Sequence, residues 1–76
     1  MNEMNLWDAE PGKKYKVVEL DTGLFSNLDD LGLEAGKTLE KLKLIEFDKV
    51  VRIAMNGDTT VLSDDEAKNV IVESID

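Results

Sequence analysis

The sequence predicts an all-β fold, a small five-stranded barrel with short helical turns, one of them inserted after the first strand. Three observations carry that prediction. Short runs of β-branched and aliphatic residues alternate with turn signals along the whole chain. Asn56-Gly57 stands between two such runs, and this pair suits the mirror-image turns of tight hairpins because both residues accept positive φ. The chain has only 76 residues, and a closed or nearly closed barrel leaves the fewest exposed strand edges.

Each element has a local reason. Asn5-Leu6-Trp7-Asp8 reads as a helical turn capped by Asn5, and Pro11-Gly12 stops it. Tyr15 to Leu20 is a strand whose apolar parity switches from Tyr15 and Val17 to Val18 and Leu20. That switch predicts a bulge near Val18-Glu19, which lets a short strand curve. Asp21-Thr22-Gly23 opens a loop, Ser26 caps a helical turn through Leu31, and Gly32 takes the left-handed position that closes it. Gly36 marks a second turn.

Thr38 to Ile45 is the second strand, with Leu39, Leu42 and Leu44 as its apolar members and lysines between them. Val50 to Met55 is the third, with Val51, Ile53 and Met55 facing one way. The Asn56-Gly57 turn then sets Met55 opposite Asp58, Ile53 opposite Thr60 and Val51 opposite Leu62. Ser63-Asp64-Asp65-Glu66 is a capping box for a helical turn through Lys68, and Val70-Ile71-Val72 is the last strand. No repeat, linker or low-complexity stretch divides the chain, so residues 1–76 read as one domain.

Composition excludes several kinds of chemistry. Without Cys there is no disulfide framework, thiolate metal site or cysteine nucleophile. Without His the commonest metal ligand and general base are both missing. Ser26 and Ser63 each have a capping role and no basic partner, and the glycines fall singly at turns, forming no phosphate-cradling loop. The sequence therefore reads as no enzyme, with no catalytic residue and no cofactor.

The net charge of −8 repels phosphate backbones and anionic lipid, so nucleic acid is not an expected partner. No apolar run approaches the length of a membrane span, and Glu3, Asp8 and Glu10 do not suit a signal peptide. A cytoplasmic, soluble protein without direct membrane insertion is expected.

Leu28-x-x-Leu31-Gly32-Leu33-x-x-Gly36, preceded by Pro11-Gly12 and a short strand, resembles the ferrous iron transport protein A (FeoA) family. The resemblance continues through Asn56-Gly57, Leu62-Ser63-x-x-Glu66-Ala67 and Val70-Ile71-Val72, covering about Leu6 to Ile75. It implies an SH3-like barrel with a helical insertion after the first strand. It also implies a non-catalytic accessory protein of ferrous iron uptake, acting on the cytosolic GTP-binding domain of a FeoB-type membrane transporter.

The same barrel forms the carboxy-terminal domain of iron-dependent repressors, a setting that needs a winged-helix domain not expected from these residues. Where relatives commonly have basic residues this chain has Phe25, Ser26 and Asn27. Where many have a Gly-Asp-Pro-like turn it has Glu46-Phe47-Asp48-Lys49.

Within that frame, Leu24, Phe25 and Asn27 are the candidate partner-binding residues, since a loop between a turn glycine and a helix cap normally exposes its side chains. The other reading tucks Leu24 or Phe25 back over the barrel end. Leu28, Leu31 and Leu33 read as core, and Trp7 as a plug for one end.

The available metal ligands are carboxylates: Asp29-Asp30, Glu34, Asp48, Asp58 and Asp64-Asp65-Glu66. Oxygen-only sets suit magnesium, calcium or manganese and do not select iron. No dedicated metal site is assigned. A soluble divalent transition-metal ion carrier, which would bind metal tightly, or a metal-responsive regulatory module, is the alternative function; weakly held Fe(II) or another divalent metal is the expected metal partner otherwise. A third is a dissociable partner of a transcription factor.

Overall fold

The computed structural model describes residues 3–20 and 32–75. Six strands and one short helix follow in order: β1 (Glu3–Asn5), β2 (Lys13–Leu20), β3 (Thr38–Ile45), β4 (Val50–Met55), β5 (Asp58–Ser63), α1 (Asp64–Lys68) and β6 (Val70–Ser74). All pairings are antiparallel, and the sheet order is β1-β6-β2-β3-β4-β5. The predicted all-β class holds.

The five-stranded barrel is corrected to a six-stranded sheet whose described pairings do not join β1 to β5. The added strand is β1, which pairs Met4 with Val72 and Asn5 with Ile71. Three residues, Glu-Met-Asn, carry no alternation and no β-branched side chain, so only their partner makes them a strand. The expected Asn5 cap does follow directly: Asn5 Oδ1 accepts the Asp8 N–H at 2.9 Å.

Two irregularities bend the sheet. The β2–β6 register shifts between Val17 and Glu19, as the parity switch predicted. A second shift, between Lys41 and Lys43 in β3, leaves Leu42 as the extra residue and passes the core face from Lys41 to Leu44, which lies opposite buried Val51. The β4–β5 hairpin has the predicted register, with Asn56 at φ 55° and Gly57 at φ 84°. Its Met55↔Asp58 pair abuts the two-residue turn and shares both ladder bonds, so bonded pairs alternate from there.

The core gathers one face of every long strand. Tyr15 and Val17 of β2, Leu39 of β3, Val51 and Ile53 of β4, Leu62 of β5 and Val72 of β6 are buried together, with Leu6, Leu33 and Ala67 contributed by the connections. Burying each larger aliphatic side chain contributes about 1.5–3 kcal/mol, so the core is mostly aliphatic as expected. Tyr15 is the one fully buried aromatic among the described residues, its hydroxyl donating to the Glu10 carbonyl at 2.7 Å. Leu33 is buried as predicted; Leu28, Leu31 and the expected helical turn from Ser26 lie outside the described residues.

Candidate functional site

The candidate partner residues Leu24, Phe25 and Asn27 lie outside the described residues. What the structure does place are the residues that flank them in sequence. Leu20 is half-buried against the core, and Gly32 resumes the chain at φ 86°, the left-handed conformation predicted for it.

The acidic residues divide by role. Ser63 Oγ accepts the Glu66 N–H at 3.2 Å, while Glu66 Oε1 accepts the Ser63 N–H at 2.8 Å, completing the predicted capping box. Asp64, Asp65 and Glu66 thus occupy the first turn of α1, where the helix dipole favours negative charge. Glu34 pairs with Lys37 at 3.9 Å. Among the described residues no group of three or more Asp or Glu converges on a point where a cation could sit.

Lys41 was not singled out by sequence reading, and it is wholly buried. Strand alternation puts Lys41 on the core face with Leu39, ahead of the bulge. Its ammonium donates to the Trp7 carbonyl at 2.8 Å and to the Ala9 carbonyl. Its own carbonyl accepts the Gly12 N–H at 2.7 Å. One residue therefore fixes the whole connection from β1 to β2. Burial lowers its pKa from the ordinary lysine value, with the Asp8 carboxylate opposing that shift. An unreachable amine with two carbonyl partners is a structural strap and not a nucleophile.

Trp7 is half-buried against the core, as an end plug should be, and Lys68 Nζ stands 5.5 Å from its ring centroid. Phe47 behaves in the opposite way. It sits in the turn between β3 and β4 and is 96% exposed. Only two other large apolar side chains among the described residues are exposed, Val61 and Ile75, both to about half that extent.

The turn holding Phe47 is well defined. Lys49 adopts φ 55° and its N–H donates to the Glu46 carbonyl at 3.1 Å. Its own carbonyl accepts the Asp64 N–H at 2.9 Å, tying the hairpin tip to the start of α1. Glu46 and Asp48 flank Phe47 and are exposed, as is Asp65 in the first turn of α1. The sequence signal that could have identified this site was present: an aromatic between two acids in a four-residue connection has no core to enter.

On the solvent face of the sheet, Lys43 and Arg52 are direct cross-strand neighbours, followed by Val61 on β5. A shallow groove bordered by Lys14, Thr38, Glu40 and Ala54 runs beside them to the Asn56-Gly57 turn. Lys14 and Glu40 in it are direct cross-strand neighbours, an ammonium beside a carboxylate. No helix among the described residues is long and apolar enough to cross a membrane.

Comparison with known proteins gives a consistent picture. The structure is similar to that of an iron uptake regulatory protein, FeoA, at TM-score 0.85 and 22% identity, covering 99% of this chain and 100% of that one. It is similar to a FeoA-like protein from Clostridium acetobutylicum at TM-score 0.85 and 19% identity, covering 99% and 90% of the two chains.

A manganese-dependent transcriptional repressor in complex with manganese shares the fold at TM-score 0.89 and 22% identity, covering 99% of this chain. The chain spans only 38% of that repressor's length, and 37% of the zinc-bound repressor ScaR. No curated protein sequence matches. The FeoA domain family, however, matches residues 4–74, nearly the entire chain from β1 through β6, and to that family this protein belongs.

Proposed function

We propose that the protein is a non-catalytic, cytoplasmic regulator of ferrous iron uptake that docks on the cytosolic GTP-binding domain of a FeoB-type transporter. The observation that carries this reading is the FeoA-domain match over residues 4–74, supported by the full-length similarity to a FeoA described as an iron uptake regulatory protein. An aromatic exposed on a hydrogen-bonded turn favours contact with another macromolecule. The loop carrying Leu24, Phe25 and Asn27 is proposed as one part of that contact.

Calorimetric titration of the folded GTP-binding domain into this chain tests the reading. A saturable one-to-one isotherm is expected, weakened by Leu24→Ala with Phe25→Ala. Absence of heat and of co-elution with both partners folded at high concentration overturns it.

A metal-responsive module is the second reading, favoured by the fold shared with a manganese-dependent repressor. Anaerobic titration of the chain with Fe(II) or Mn(II) separates the two. Tight binding that disappears in Asp64→Asn with Glu66→Gln supports this second reading.

A further inference from the structure

The docking reading above leaves open which described surface a partner grips, and Phe47 answers that more sharply than any other residue. Folding gains nothing from this ring, because it is 96% exposed. The chain has only four aromatics, and two of the others, Trp7 and Tyr15, pack against or inside the core. Keeping a bare phenyl ring at a hairpin tip is otherwise a liability for a small soluble domain.

The backbone that carries the ring is also fixed before any partner arrives. The Lys49–Glu46 and Asp64–Lys49 backbone bonds fix both sides of the turn, so little loop freedom remains to be lost on binding. An aromatic with two rotatable side-chain bonds on such a turn has the character of an interface hot spot. Around it, Glu46, Asp48 and Asp65 are exposed, and none forms an ion pair within the described residues. The bond from Asp64 to Lys49 is what gathers the acids of α1 beside those of the hairpin.

We propose that Phe47 is an anchor for the partner, entering an apolar socket whose rim carries lysine or arginine. The acids would face that rim, steering approach and setting orientation while the ring supplies the buried contact. A phosphate backbone or anionic bilayer is unsuited to this corner, because it meets the same acids with like charge.

This inference rests on the docking reading, and the same binding partner separates their failures. With the transporter's GTP-binding domain as the probe, Phe47→Ala is expected to weaken binding by roughly tenfold or more. Phe47→Leu should recover part of the loss. Glu46→Lys with Asp48→Lys should weaken binding and flatten its dependence on salt concentration.

Thermal unfolding of each variant should match the parent, which shows that the effect is not loss of fold. Undiminished affinity of Phe47→Ala, with the parent still binding, overturns the anchor and spares the docking reading. Failure of the parent to bind overturns both. A parent dimer that Phe47→Ala dissolves in sedimentation assigns the ring to self-association and overturns the anchor.

Discussion

The Lys41 ammonium lies 2.8 Å from the carbonyl oxygen of Trp7, a residue 34 positions earlier in the chain. That bond, with its companion to Ala9, fastens the β1–β2 connection over the end of the core. A charge is buried there because the Ala9 carbonyl, in a buried bond, and the Trp7 carbonyl, in a partly buried one, need a donor, and a lysine stem is long enough to bring one.

Lys41→Met should keep most of the packing and lose both donors. Leaving the carbonyls of Trp7 and Ala9 without their donor is expected to destabilise the protein by about 1–3 kcal/mol. For a domain this size each kcal/mol corresponds to a melting shift of about 4–8 °C, so calorimetry resolves it easily.

The same residue gives a pH signature. Desolvation holds the folded-state pKa of Lys41 below its ordinary value of 10.5. Between those two values the unfolded chain binds more protons than the folded one, so this group's contribution to stability rises with pH. The neutral amine still carries two N–H groups, enough for both carbonyls. Urea midpoints measured from pH 7 to pH 10.5 should therefore climb for the parent relative to Lys41→Met. A parallel fall in both proteins contradicts the assignment.

Gly32 is at φ 86°, and a Cβ there would meet only Met55 Cε at 3.6 Å, an ordinary contact. Strain without a clash is the expectation for Gly32→Ala. The cost is about 1 kcal/mol, arising from the left-handed backbone. An unchanged urea midpoint would mean that the backbone relaxes out of that conformation.

Lys43 and Arg52 face each other across β3 and β4 on the solvent side. Neither forms an ion pair with a described residue. Arg52→Glu converts a like-charge cross-strand pair into an opposite one and should stabilise by about 0.2–1 kcal/mol at low salt. The gain should shrink in 1 M salt, where screening acts within about 3 Å.

Much of this fold was legible because the governing interactions are local. Asn56-Gly57 specified its turn and therefore the whole β4–β5 register, and Ser63 with Glu66 specified the start of α1. The parity switch at Val17 located one bulge. β1 was illegible because its strand character is borrowed from β6, and Lys41 because alternating lysines in a strand ordinarily point to solvent. The candidate site divided in the same way: the sequence pointed to the loop of Leu24 and Phe25, whereas the exposed ring that the described structure displays is Phe47.

By itself the sequence determined the all-β class, the long strands, the turns and the family, since these depend on neighbours within a few positions or on a spaced motif. Tertiary structure alone decided that the sheet has six strands, that Lys41 is buried against the Trp7 and Ala9 carbonyls, and that the start of α1 is bonded to the turn that carries Phe47. Those outcomes join residues far apart in the chain. Which partner each one meets depends on how the bulged sheet bends, and no local window of residues contains that information.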